Sequence, residues 1–333
     1  FGSRHSSQMK RLCVYLIRHA ESENNARGDH DVSGSDTPGD AGCDDGVSSP
    51  AAKRAKTRQA DPGLTEQGHA QARAVGQLLR RLQTDEKTRP EQRPRLLFAS
   101  GFKRALQTCR HVSEATGLAP SLELSMHEEG GIFEGTRREA REQTASGVYV
   151  RPLRHGLDAQ GMQEHLPGLT GLEAVADGGW WRGGVETVEQ TVDRAKACME
   201  WLWQLVDLKG RRAGEQSLGA VVTVTHGLFL DRLLKEAMNI PATAVTPRFL
   251  TANCAYWLLE LIHDPQDTQD PRRVVFLACN VVDHVPTAVR TGHKMGQYSH
   301  CQPSYPELLT NDYTGLNGVS VTPDSGSAAN SAS

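Results

Sequence analysis

Three short apolar runs, two of them leading directly into a helical pattern, constrain this chain more than any other feature. Leu12 to Ile17 is one and ends at Arg18-His19; Arg95 to Ala99 and Gly219 to Thr225 are the others. Runs this short with little polar alternation suit strands covered on both faces, the usual condition of a parallel sheet. The intervening patterns are helical. In Thr65 to Leu82, residues Ala70, Ala74, Val75, Leu78, Leu79 and Leu82 fall on one face, and Thr65 is placed to cap the start. Phe102 to Thr116, Thr187 to Leu208 and Leu228 to Met238 are the further helices, and Thr187 with Gln190 has capping-box spacing. Ala255 to Ile262 and Val274 to Cys279 read as a closing hairpin around Asp264 to Pro271. Strand alternating with helix predicts an α/β fold, a three-layer α/β/α sandwich around a mostly parallel central sheet.

Two stretches contain too little apolar surface to offset the entropy of ordering them. Ala26 to Pro62 is filled with Gly, Ser, Asp and Ala and then a basic run of Lys53, Arg54, Lys56 and Arg58. It reads as a flexible insertion at about 27–60, its charges a solvated cluster in preference to a localisation signal. The end of the chain, 313–333, reads as a disordered tail. Residues 1–11 read as a leader without an apolar signal region, in which Met9 is a candidate for the native start. Between them, 12–312 is expected to be one domain. A segment at about 136–184 is expected to cap its pocket, with Arg137, Arg138, Arg141, Arg151, Arg154, His155, Trp180, Trp181 and Arg182 in it.

Net charge of −3 does not favour nucleic acid or an anionic membrane as partner, so any anion must be held by a local cluster. The seven cysteines are odd in number and lack C-x-x-C or Cys/His ligand spacing, which indicates neither a disulfide framework nor zinc. Cys13, Cys254 and Cys279 lie in apolar runs and read as small buried hydrophobes in a reducing compartment. No apolar stretch approaches the ~20 residues of a membrane helix. A cytoplasmic protein is expected, with its oligomeric state left open.

His19 and His226 each follow an apolar strand directly. Ligands in open α/β sheets bind at the carboxyl ends of strands, so two such histidines can face one another across a shared pocket. Arg18 adjoins the first. Arg104 follows a third strand and lies in the first turn of a helix, where unpaired backbone N–H groups favour anions. Arginine's planar fork suits phosphate oxygens. Together these residues describe an anion site better than a set of surface ion pairs.

On these residues the sequence resembles the histidine phosphatase superfamily, the phosphoglycerate mutase-like group, branch 1. Leu16 to Asn25 resembles the family's L-x-R-H-G-E-S-x-x-N opening, with Ala20 where glycine is usual. Asp61-Pro62-Gly63-Leu64-Thr65 with Gly68, Gln71 and Ala72 resembles its D-x-x-L-T helix start. Ser100 to Thr108 matches S-x-x-x-R-A-x-Q-T. Gly184-Val185-Glu186-Thr187 with Arg194 resembles its G-E-S helix start with one residue inserted, and Thr225-His226-Gly227 matches the second histidine motif. The blocks keep the family's order from about residue 12 to 285.

The resemblance implies His19 as phosphate acceptor. It implies that Arg18, Asn25, Arg104, His226 and Gly227 hold the phosphoryl oxygens, with Ser22 a further candidate. The acid lies in Met126 to Gly135, with Glu128 favoured over Glu129. Neutral imidazole is an uncharged nucleophile toward an anionic ester. Arginines with a protonated His226 can replace a metal ion, so neither metal nor cofactor is expected. A small phosphorylated substrate is implied, with a phosphoprotein as the alternative. Hydrolysis is favoured over mutase chemistry because the mutases' Y-G-G-L-x-G-L stretch has only a partial echo in Glu129 to Ile132. A catalytically inactive phospho-ligand or partner-binding module is the reading from another class.

Overall fold

The computed structural model describes residues 9–26, 59–133, 156–181, 184–209, 211–212, 219–241 and 248–292. Most of the expected insertion, the arginines of the expected cap, the first eight residues and the expected tail lie outside the described residues.

The strands are β1 (Lys10–Arg18), β2 (Pro94–Ala99), β3 (Pro120–Leu122), β4 (Arg211–Arg212), β5 (Ala220–Thr225), β6 (Tyr256–His263) and β7 (Arg272–Val281). Along the sheet they run β3-β2-β5-β1-β6-β7, with β4 paired to the start of β1. The first four in that order are mutually parallel, while the β6–β7 hairpin extends the sheet antiparallel beside β1. The helices are α1 (Glu23–Ala26), α2 (Glu66–Thr84), α3 (Lys103–Thr116), α4 (Ala159–His165), α5 (Val188–Lys209) and α6 (Gly227–Ala237).

Successive strand residues point to opposite faces, and β1 shows why its run is apolar throughout. Cys13, Tyr15 and Ile17 enter a core with Ala72, Val75 and Leu79 of α2 and Ala105, Leu106 and Cys109 of α3. Leu12, Val14 and Leu16 enter a second core with Cys198 and Leu202 of α5 and Phe229, Leu230 and Leu233 of α6. The architecture is the expected three-layer α/β/α sandwich. Among the described residues no helix is long and apolar enough to cross a membrane.

Helix ends follow the sequence signals. Thr65 caps α2 by accepting from the Gly68 N–H, and Thr187 and Gln190 exchange the reciprocal capping-box bonds at 2.8 and 3.2 Å. The buried seam of α2 is rotated from the apolar pattern. It runs through Gly68, Gln71, Ala72, Val75, Gly76 and Leu79, leaving Ala70 and Leu78 half-buried at its flank. Gln71 belongs in the seam because its amide accepts from the Glu21 N–H at 2.8 Å and donates to Val289 O and Thr291 Oγ1. Cys279 departs from expectation: it is exposed, because Val275, Leu277 and Cys279 share the open face of edge strand β7.

Gly68 sets how closely α2 approaches the chain that follows β1. A Cβ there would lie 2.0 Å from the Glu21 carbonyl oxygen, a backbone atom that cannot swing aside. Gly68→Ala is expected to lower stability by about 1–3 kcal/mol, the usual cost of overpacking. Urea denaturation of the two proteins measures it, and an unchanged midpoint contradicts the close approach.

Candidate active site

The site begins with the register of two strands. Arg18 of β1 stands opposite Thr225 of β5, so both chains leave the sheet together and the next residues are His19 and His226. The His19 N–H donates to the Thr225 carbonyl at 2.8 Å, and the two imidazole centroids are 5.1 Å apart. On the other side of β5, the Ser100 N–H donates to Val224 O, which sets Ser100 Oγ 2.8 Å from His226 Nε2.

The tautomer of His19 follows from its partners. Nδ1 lies 2.6 Å from the Ala20 carbonyl, which can only accept, so Nδ1 carries the hydrogen and Nε2 the lone pair. Arg104 Nε donates to that Nε2 at 3.2 Å. Burial, then the charges of Arg104 and Arg18, hold the His19 pKa well below its ordinary value, so the ring is neutral at pH 7. Ala20 sits in an ordinary backbone conformation, with its N–H donating to Thr108 Oγ1.

Each arginine is fixed by its surroundings. Arg18 Nη1 donates to the Thr251 carbonyl at 2.6 Å, and the absent side chain of Gly227 lets the guanidinium lie against the start of α6. Arg104 lies over the Phe102 ring at 4.2 Å, with Nη1 3.9 Å from Asp61 Oδ1. The same carboxylate accepts the Lys103 N–H at 3.0 and 3.2 Å. One N–H at the start of α3, expected to await an anionic ligand, is therefore already taken by Asp61. Burial pushes the Asp61 carboxyl up to about 6, opposed by Arg104 and by the Lys103 amide.

Ser22 and Asn25 turn the chain after His19: Asn25 Oδ1 accepts the Ser22 N–H and Ser22 Oγ accepts the Asn25 N–H, at 3.3 and 3.4 Å. Asn253, which no sequence motif marks, donates from Nδ2 to both the His19 carbonyl (3.1 Å) and Asn25 Oδ1 (3.2 Å). Its sequence signal is slight, a single asparagine shortly before an apolar strand.

The neighbouring acids have different partners. Glu128 Oε1 accepts the Phe229 N–H in the first turn of α6 at 3.0 Å and the Glu129 N–H at 2.8 Å. Glu129 Oε2 instead accepts Arg232 Nε at 2.9 Å, inside a buried cluster with Asp231 and Lys235. Glu128 thus shares with His226 the opening of α6, while Glu129 is engaged behind it.

The sequence expectation of a protonated His226 beside a phosphate meets an opposing environment: burial, then Arg104, His19, His127 and Arg194, lower its pKa well below the ordinary value.

Two imidazoles ending adjacent parallel strands, with two guanidinium groups beside them, define a class of α/β protein able to seat a phosphate-sized anion against an uncharged ring. The chain belongs to the histidine phosphatase superfamily (branch 1), whose family model matches residues 46–270, more than half of its length. That match contains Arg104, Glu128 and His226 and begins after Arg18-His19. No curated protein matches the sequence. Among solved structures, "Mycobacterial hydrolase 2" is 19% identical with a TM-score of 0.48 over 85% of this chain and 95% of its own. A mycobacterial glucosyl-3-phosphoglycerate phosphatase complex is 19% identical with a TM-score of 0.46, over 82% of this chain and 99% of its own. Bacillus stearothermophilus YhfR is 17% identical with a TM-score of 0.45, over 83% and 100%.

A histidine whose folded pKa is lowered stabilises the protein above its unfolded pKa of 6.5, and that stability is lost as pH falls below it. Stability is expected to fall between pH 7 and pH 5. In His226→Asn the fall should be shallower, by up to about 1.4 kcal/mol per pH unit for one proton. Both proteins retain Asp61, so its opposing effect cancels in the comparison. Urea midpoints across this range test it; identical slopes count against a buried neutral His226.

Proposed function

We propose that the chain hydrolyses phosphate monoesters through a phosphohistidine on His19, without a metal ion. The observation that carries this is the His19 ring itself. It is neutral, its Nδ1–H is engaged by Ala20 O, and its Nε2 lone pair faces Arg104. An arriving phosphate draws the Arg104 donors onto its oxygens and leaves Nε2 facing phosphorus. Arg18, Arg104, His226, Asn25 and the Gly227 amide surround the phosphoryl oxygens, and Ser22 shapes the turn that presents Asn25.

In the first step His19 Nε2 bonds to phosphorus as the ester P–O bond breaks, and Glu128 gives its proton to the departing oxygen. In the second, Glu128 takes a proton from water, whose oxygen bonds to phosphorus as the P–N bond breaks. Inorganic phosphate leaves, and His19 is again neutral. Glu128 suits this role better than Glu129, whose carboxylate is held by Arg232. The transition state is loose and spreads charge over the phosphoryl oxygens, so fixed guanidinium groups can supply what a metal ion supplies elsewhere.

Hydrolysis is preferred to mutase chemistry on the sequence features described above, and a small phosphorylated molecule is the substrate class, with a phosphoprotein as the alternative. Buried free thiols at Cys13, Cys109, Cys198 and Cys254 support a reducing, cytoplasmic setting.

His19→Ala is expected to abolish turnover, and Arg104→Ala to cost about 10²–10³ in rate, by analogy with removing an oxyanion donor. Acid-labile phosphate on His19 after rapid quenching supports the covalent step. Unimpaired His19→Ala overturns it, and a protein that binds phosphate without labelling or turnover is the binding module. Phosphate release should persist in EDTA. Strict dependence on an added divalent ion contradicts the metal-free site, and efficient 3- to 2-phosphoglycerate conversion with little phosphate release replaces hydrolase by mutase.

A further inference from the structure

The loop carrying Glu128 is gripped by side chains that the chemistry above does not use. Glu186 stands just before α5 and Arg194 within it. Arg194 Nε and Nη2 fork onto the two Glu186 oxygens at 2.8 and 2.6 Å. Arg194 Nη1 turns the other way and donates to the carbonyls of Ser125 (2.7 Å) and His127 (2.9 Å). Glu186 completes the grip: its backbone N–H donates to Gly130 O, its Oε2 accepts the Thr191 hydroxyl, and the same oxygen lies 3.6 Å from His127 Nε2. The backbone is therefore held on both sides of Glu128.

One further contact ties this pair to the acid, and another packs the loop that carries it. The Arg194 guanidinium lies 4.3 Å over the ring of Phe229, the residue whose N–H donates to Glu128 Oε1. Trp181 packs on His127 and covers Gly131, where a Cβ would lie 2.1 Å from the indole. Gly131 also has φ +73°, so both space and backbone conformation call for glycine.

We propose that the Glu186–Arg194 pair is a positioning device for the proton donor, fixing the loop from Ser125 to Gly131 so that Glu128 meets the leaving oxygen. This rests on the phosphohydrolase reading and on Glu128 as its acid. The pair is built to stay charged: burial acts to raise the Glu186 carboxyl, but the Arg194 fork and then His127 hold it well below the usual carboxylate range. A nearly buried ion pair is rigid when satisfied and disruptive when one partner is removed. Proton donation is sensitive to a displacement of this kind, because a shift of about 1 Å can cost roughly 10²-fold in rate.

Leaving-group dependence separates positioning from general structural support. p-Nitrophenolate departs without a proton, whereas an alkoxide needs one, and kcat/KM reports the step in which the ester bond breaks. Glu128→Gln should lose about 10²-fold or more on glycerol 2-phosphate and much less on p-nitrophenyl phosphate. Glu186→Gln should show the same selectivity, with a loss of about 10–100-fold on the alkyl ester and within about threefold on the aryl ester. Its inhibition by inorganic phosphate should be unchanged. Arg194→Lys keeps the charge and drops the fork; it should be selective in the same direction and decides the matter if Glu186→Gln does not fold.

Equal losses on both esters, or no loss, overturn the proposal alone, provided the wild type and Glu128→Gln behave as stated. A wild type inactive on both esters overturns the phosphohydrolase reading and the proposal with it.

Discussion

The site depends on the parallel pairing of β1 with β5. Because Arg18 and Thr225 are opposite one another, a single hydrogen bond, from the His19 N–H to the Thr225 carbonyl, sets where the first histidine leaves the sheet. His226 leaves one residue after Thr225, and Ser100 leaves β2 beside it. Slipping this register by one residue would turn Tyr15 and Ile17 out of one core and Leu16 out of the other. The cores on the two sheet faces therefore hold the histidines in place, and stability and chemistry share one constraint.

Electrostatics then decides what those histidines can do. An imidazole buried beside two guanidinium groups loses its proton more readily than one in water, since both burial and like charge oppose the cation. That is unfavourable for an acid and favourable for a nucleophile. The same guanidinium groups that keep His19 uncharged suit the anion it is proposed to attack. Asp61 tempers this: it meets Arg104 Nη1 and the first N–H of α3, so part of the positive field is already balanced before any ligand arrives.

How much of this was legible in the sequence varies with the kind of signal. Strands β1 and β5 were visible because burial on both faces makes them continuously apolar, β2 because its short run is apolar although one face is half-exposed, and α2, α3, α5 and α6 because one face repeats. Single polar residues inside such patterns were not visible. Gln71 and Asn253 are buried because each bonds several backbone groups far away in the sequence, and nothing local announces those partners. Glu128 and Glu129 are adjacent in the chain, and only their partners, the Phe229 N–H and Arg232, tell them apart. Cys279 looked buried because its strand is apolar, but the pattern does not say that β7 lies at the edge.

The segments that end at Ala26 and begin at Gln59 are tied to one another. Asn24 and Gln59 exchange hydrogen bonds at 2.9 and 3.2 Å, the Glu23 N–H donates to Gly63 O, and Ser22 bridges to Leu64. Between two points clamped in this way, loop-closure entropy grows only with the logarithm of the length of chain that joins them. The turn from Ser22 to Asn25 and the start of α2 can therefore stay in register with His19, through the bond from the Glu21 N–H to Gln71, however long the intervening sequence becomes.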